Sequence, residues 1–132
     1  MIFQIDESTP YPTFPDPRAG DEDGLFAVGG DLSIDRLLLA YCHGIFPWYC
    51  FRDQPDILWY CPMQRFVIFP EEIHVSHSMR TLINKDQYSY SINEAFDDVI
   101  AQCSKLRIEQ EGAWLGDDMI KAYTELHRQG FA

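Results

Sequence analysis

The side chains with chemistry to offer fall into four groups. His74-Val75-Ser76-His77 sets two imidazoles three residues apart, a separation that serves a metal only where one helix carries both. Here the pair straddles an expected helix start, so two surface histidines is the simpler reading. Cys42, His43, Cys50 and Cys61 bring thiols and an imidazole, but no C-x2-C or C-x4-C pair exists to hold zinc. A cysteine nucleophile with a histidine base fares no better, because Cys42 and His43 are adjacent on one expected helix and their side chains diverge by ~100°. Gly29-Gly30-Asp31 leads into a helix, where backbone amides can cradle phosphate. Both glycine-loop patterns for nucleotides are absent, however, and Asp31 would repel an anion.

The fourth group is aromatic. Ile45-Phe46-Pro47-Trp48-Tyr49 and Ile57-Leu58-Trp59-Tyr60-Cys61-Pro62 gather rings around prolines at a density a small core does not require. Such rings either pack against each other or present faces on which a base can stack, worth about 1 to 3 kcal/mol per base and indifferent to base identity. Composition alone favours packing, since aromatic residues are mostly buried. No catalytic constellation is visible from these residues.

The elements that must position them follow from periodicity. Residues 8–24 carry Pro10, Pro12, Pro15 and Pro17, then Asp21, Glu22 and Asp23, which blocks helix and favours a solvated, extended arm. The Pro12 to Pro15 spacing has the form of a ligand for a proline-binding module, but Tyr11 and Phe14 better serve to pin the arm onto its own domain. After the apolar run Leu25-Phe26-Ala27-Val28 and the glycine pair, Asp31 or Ser33 caps a helix with Leu37, Leu38 and Tyr41 on one face and Gly44 at its end. Residues 65–69 read as a strand, residues 76–83 as a helix and residues 88–92 as an alternating strand. Asn93 then caps a helix with Phe96, Val99, Ile100 and Cys103 at helical spacing. Asp117 or Asp118 opens another with Met119, Ile120, Tyr123 and Leu126 on one face, ended by Gly130.

A chain of 132 residues, 46% hydrophobic and 14% aromatic, is one domain's worth and can bury a real core. Its longest apolar run, from Leu37 to Cys42, is far short of the roughly twenty residues a bilayer span needs. The first six residues lack the basic-then-apolar pattern of a secretion signal, so neither export nor membrane insertion is expected and the cysteines read as reduced, cytoplasmic thiols. The formal charge of −11 repels phosphate and so argues against nucleic acid. It suits a cationic partner, such as a peptide beginning with Arg or Lys, or simply keeps the surface soluble.

One resemblance changes that balance. Gly24-Leu25-Phe26-Ala27-Val28-Gly29-Gly30-Asp31-Leu32-Ser33, then Leu37-Leu38-Leu39-Ala40-Tyr41, Gly44-Ile45-Phe46-Pro47-Trp48 and Ile57-Leu58-Trp59-Tyr60 resemble, in order and spacing, the N-terminal signature of leucyl/phenylalanyl-tRNA protein transferases. The likeness continues through Pro62, Arg65, Ser76-His77-Ser78-Met79, Asn93, Ala95-Phe96, Trp114, Ala122-Tyr123, Leu126-His127 and Gly130.

The resemblance implies an α+β protein: a small N-terminal α/β domain over residues 1–62 with its proline-rich arm, then, over residues 63–132, the opening strand, helix, helix portion of a GNAT-like acyltransferase fold with its sheet incomplete. It implies aminoacyl transfer, in which the α-amino group of an N-terminal Arg or Lys of a protein or peptide attacks the ester carbonyl of Leu-tRNA or Phe-tRNA in the cytoplasm. That reaction tags proteins for N-end rule degradation and uses no metal or other cofactor and no membrane. Residue by residue, Tyr41, Trp48, Trp114 and Tyr123 match the aromatic positions around the aminoacyl-adenosine at the tRNA 3′ end, reversing the packing reading for these four. Trp59 aligns too, with a packing role beneath the pocket as its equal alternative. Arg80, Lys85 and His77 stand where the family places cations against the acceptor stem, a patch thinned here by Thr81 and Asn84. Ala113-Trp114-Leu115 replaces the family's Thr-Trp-Ile, and Cys61 replaces a Ser. The family's acid/base residues, an Asp and a Gln on later strands, lie beyond Ala132. The chain alone is therefore expected to be inactive, the alternative being a non-catalytic fragment that binds an aminoacyl-adenosine or a tRNA 3′ end.

Overall fold

In the computed structural model, residues 1–8, 11–48, 56–108 and 115–132 are described, with the backbone alone for residues 106–108. They form two compact units, Met1–Met63 with Phe96–Ala132, and Gln64–Ala95. The first unit is built on a mixed four-stranded sheet of β1 (Phe3–Ile5), β2 (Leu25–Gly29), β3 (Phe46–Trp48) and β4 (Leu58–Tyr60) in the order β1-β2-β4-β3. β1 runs parallel to β2, while β4 lies antiparallel to both β2 and β3. The apolar run of residues 25–28 becomes β2, whose register shifts between Leu25 and Ala27. The irregularity breaks the two-residue alternation, so consecutive Phe26 and Ala27 are both fully buried. On β4, Trp59 is likewise fully buried and its indole N–H donates to the Gly29 carbonyl at 2.8 Å, which satisfies the one polar atom of the ring.

Helix α1 (Ile34–Cys42) lays Leu37 and Ala40 on this sheet. Ser33 occupies the cap position in an extended conformation, but its hydroxyl makes no capping bond. Asp31 instead accepts the Ser33 N–H at 2.7 Å. At the far end Gly44 takes φ +71°, a left-handed conformation that side chains disfavour. This lets the Ile45 N–H reach the Ala40 carbonyl and the Gly44 N–H the Tyr41 carbonyl, at 2.9 and 3.1 Å, satisfying carbonyls the helix leaves free. The same closure recurs at Gly130, at the end of α4 (Asp117–Arg128): Phe131 N–H donates to Leu126 and Gly130 N–H to His127, both at 2.9 Å. The apolar stripe of α4 buries Met119 and Leu126. α3 (Phe96–Ile108) packs on α4, with the Phe96 ring stacked on His127 at 4.2 Å and the Ser104 hydroxyl donating to the Leu115 carbonyl.

The proline-rich arm is pinned by one ring rather than two. Phe14 packs edge-on against Trp59 at 4.8 Å and beside Phe26 at 6.1 Å, whereas Tyr11 is 77% exposed.

Three expectations need correcting. Residues 65–69 and 88–92 form no strand: among the described residues every ladder partner lies in β1 to β4. Alternation shows which face a strand would bury, but a strand also needs a neighbour for its backbone groups. The segment 63–132 therefore holds helices α2 (His77–Asn84), α3 and α4 and no strand among its described residues. Asn93 does not immediately precede a helix. It sits at φ +61° within a bend, and α3 begins at Phe96. On α3, Phe96 and Ile100 are half-buried while Val99 and Cys103 are exposed, so the inward stripe runs i, i+4 through Phe96, Ile100 and Ser104. The class is α+β, a mixed four-stranded sheet with four helices among the described residues.

Candidate functional site

Tyr41 stands in the last turn of α1 and Tyr123 in the middle of α4. The two helices meet so that the phenol hydroxyls share a hydrogen bond, the rings lying edge to face with centroids 6.4 Å apart. Tyr41 is 46% exposed and Tyr123 half-buried. Burial first, and the Tyr41 hydroxyl second, push the Tyr123 phenol well above the usual tyrosine range. The pair therefore presents a neutral phenol whose orientation is set by its neighbour, next to a second ring partly open to solvent. Such a pair can bind a polar hydroxyl through its spare donor and acceptor positions and lay a ring against a flat ligand.

Trp48 lies on β3, an edge of the sheet, and is 41% exposed. Its ring meets Tyr60 at 6.4 Å and Phe46 at 6.2 Å, and Phe46 stacks on Tyr60 at 6.1 Å. The cross-strand pairing of Phe46 with Tyr60 builds this cluster. Packing thus occupies part of the indole and leaves part of it open, as a stacking surface requires. Trp59 differs, for its complete burial leaves no surface for a ligand. Trp114 lies outside the described residues, as do Tyr49, Cys50 and Ala113.

His77, Arg80 and Lys85 belong to the second unit. Ser76 caps α2, its hydroxyl accepting the Met79 N–H at 3.3 Å. His77 and Arg80, three residues apart, share a helix face and are exposed, as is Lys85. Lys85 follows Arg80 by five residues, which turns it about 140° around the axis, so the two lasting cations point apart. Among the described residues, no three His, Cys, Asp or Glu side chains converge to hold a metal ion. Cys42 is exposed and Cys61 buried, and His74 precedes the helix that His77 begins.

The glycine pair is filled from within. A Cβ on Gly30, at φ +75°, would stand 3.0 Å from Ile5 and 3.3 Å from the Arg36 guanidinium. Arg36, only 1% exposed, escaped the sequence reading. Its guanidinium donates to Asp31 at 3.2 and 3.3 Å and to the Thr13 carbonyl at 3.4 Å, and lies 5.9 Å from the Phe14 ring centre. Burial works against ionisation of Asp31, but hydrogen bonds from Ser33 and Arg36 outweigh it and hold the carboxyl below its usual range. The available signal was spacing: Arg36 sits four residues before Ala40, on the face α1 buries.

Comparison with known proteins identifies one class of transferase along most of the chain. Residues 67–132 match the family model described as leucyl/phenylalanyl-tRNA protein transferase, and residues 30–63 match the model for that family's N-terminal domain. The chain belongs to the leucyl/phenylalanyl-tRNA protein transferase family. Proteins named as that transferase from Anaeromyxobacter sp. (strain Fw109-5) and Psychromonas ingrahamii are each 50% identical over 121 residues, covering 91% and 90% of this chain and 51% and 50% of their own lengths. Another, from Syntrophobacter fumaroxidans, is 45% identical over 132 residues, 99% of this chain and 54% of its own length. The chain thus spans about half the length of the curated relatives it matches.

Proposed function

We propose that the protein serves aminoacyl transfer, moving Leu or Phe from aminoacyl-tRNA to the N-terminal Arg or Lys of a protein in the cytoplasm, with Tyr41, Trp48, Trp114 and Tyr123 around the aminoacyl-adenosine. In this reaction the amine forms a C–N bond to the ester carbonyl, the C–O bond to the terminal ribose breaks, and the amine's proton leaves as the ribose hydroxyl is regenerated. The chemistry asks for positioning and for stabilisation of the carbonyl oxygen rather than for a metal or other cofactor. The observation that carries the reading is the Tyr41 and Tyr123 contact, which joins a residue from the stretch matched at 30–63 to one from the stretch matched at 67–132. Two phenols 82 residues apart that meet hydroxyl to hydroxyl at a partly open surface suit a ribose with its attached base.

His77, Arg80 and Lys85 are the proposed contacts to acceptor-stem phosphates. A domain boundary near residues 62 and 63 is supported by the change of family model between residues 63 and 67, and residues 63–132 are read as the start of a GNAT-like fold. The part-open rings of Tyr41 and Trp48 also suit a second reading, in which these 132 residues bind the tRNA 3′ end without turnover.

The test is fluorescence titration of the chain with 3′-deoxy-3′-(phenylalanylamido)adenosine, whose amide stands in for the labile ester. Saturable binding that weakens in Trp48→Ala supports the site, and no binding removes it. Incubation with Phe-tRNA and an Arg-initiated peptide checks turnover: these residues alone are expected to give no product, which both readings allow, and turnover would discard the binding-only reading.

A further inference from the structure

Arg36 is a buried charge that the proposed reaction does not use. A helix lying on a sheet needs no such charge at an inward position, where an apolar side chain of similar size packs as well or better. Every bond the guanidinium makes ties α1 to something outside it. Asp31, its carboxylate partner, also accepts the Ser33 N–H and so shapes the entry into the helix. The Thr13 carbonyl and the Phe14 ring belong to the arm, and the contact with Gly30 sits where a Cβ would intrude. Two segments, the arm at Thr13 and Phe14 and the turn at Gly30 and Asp31, thus converge on one planar, forked group, a geometry that fixes rotation where apolar packing tolerates sliding. Tyr41 rides on the same helix five residues further on, and its hydroxyl meets Tyr123 only if α1 is turned correctly about its axis.

We propose that Arg36 is a positioning residue: through Asp31, Thr13 and Phe14 it sets the rotation of α1 and thereby holds the Tyr41 hydroxyl against Tyr123. Its consequence for ligand binding rests on the function proposed above, but the effect on the tyrosine pair does not.

The experiment follows the seven tyrosines by NMR of 13Cζ-labelled protein titrated from neutral to alkaline pH, alongside thermal unfolding. In the unaltered chain Tyr123 should ionise well above the ordinary value of about 10, in keeping with its burial. Arg36→Met should bring that resonance toward the ordinary value and weaken binding of the adenosine analogue about tenfold, and Arg36→Lys should restore part of both. Ile57→Ala, a core substitution outside α1 and α4, should lower the melting temperature without moving Tyr123. If Arg36→Met fails to fold, Asp31→Asn gives the same reading from the milder side. A folded Arg36→Met or Asp31→Asn with an unmoved Tyr123 overturns the proposal, as does Ile57→Ala shifting Tyr123 equally. If the unaltered chain binds no analogue while Arg36→Met still moves Tyr123, the proposed function falls and the positioning role stands.

Discussion

The two units of the molecule use apolar residues in opposite ways. In the first, Phe26, Leu37 and Trp59 are completely buried between sheet, helix and arm. In the second, residues 64–95, no residue is buried, and Phe66, Val67, Ile68, Phe69, Ile73, Ile83, Tyr88, Tyr90 and Ile92 are all exposed. Hydrophobic content is therefore a poor guide to where a core lies. What distinguishes the units is backbone pairing: four strands close a ladder in one, while the other has a capped eight-residue helix between stretches with no ladder partner among the described residues.

The contrast is breakable by mutation. Trp59→Ala should lower the unfolding free energy by about 3 to 5 kcal/mol, whereas Phe66→Ala should change it by about 0.5 kcal/mol or less. Urea denaturation of both variants checks this, and similar losses would mean that residues 64–95 share in the cooperative core. Within the first unit, Trp48→Ala should reduce affinity for the adenosine analogue by the worth of one stacked base, about 1 to 3 kcal/mol, with little change in melting temperature. A large loss of stability with unchanged affinity would move Trp48 from the ligand surface into the structural set.

Alkaline pH sharpens the same distinction between buried and open rings. Because folding raises the Tyr123 pKa, the unfolded chain releases that proton first. Stability should then be level below pH ~10 and fall as pH rises further, by at most about 1.4 kcal/mol per pH unit for one proton. Tyr123→Phe should flatten this limb. Denaturant titrations at a series of alkaline pH values provide the measurement. The smallest effect concerns α2. Replacing both Arg80 and Lys85 by Ala should weaken tRNA binding and reduce the slope of log K against log salt by about 1.5, given roughly 0.7 to 0.9 per phosphate. An unaltered slope would place the phosphate contacts elsewhere.

The sequence was legible where a local rule suffices. Gly44 and Gly130 mark helix ends because only a left-handed residue closes those turns, and Ser76 marks a start because its hydroxyl accepts an amide N–H three residues further on. Strands of three residues such as β1 and β3 are too short to show a two-residue period, and residues 88–92 show that period without pairing. Arg36 was hidden because a charge amid leucines reads as solvent-facing until its partners, 5 and 23 residues away, are seen. The contact of Tyr41 with Tyr123 has no local signature: periodicity puts each ring on a helix face, and only the resemblance to known transferases assigns both to one site.

The strand order β1-β2-β4-β3 bears on how the protein emerges during synthesis. β3 leaves the ribosome before β4, the neighbour on which its pairing depends, and β2 has only its parallel partner until then. At a translation rate of about 5 to 20 residues per second, the nascent chain spends on the order of a second displaying Trp48 and Phe46 on an unsupported segment. Slower elongation while residues 48 to 58 emerge would lengthen that interval, leaving β3 for longer without the neighbour that completes its ladder.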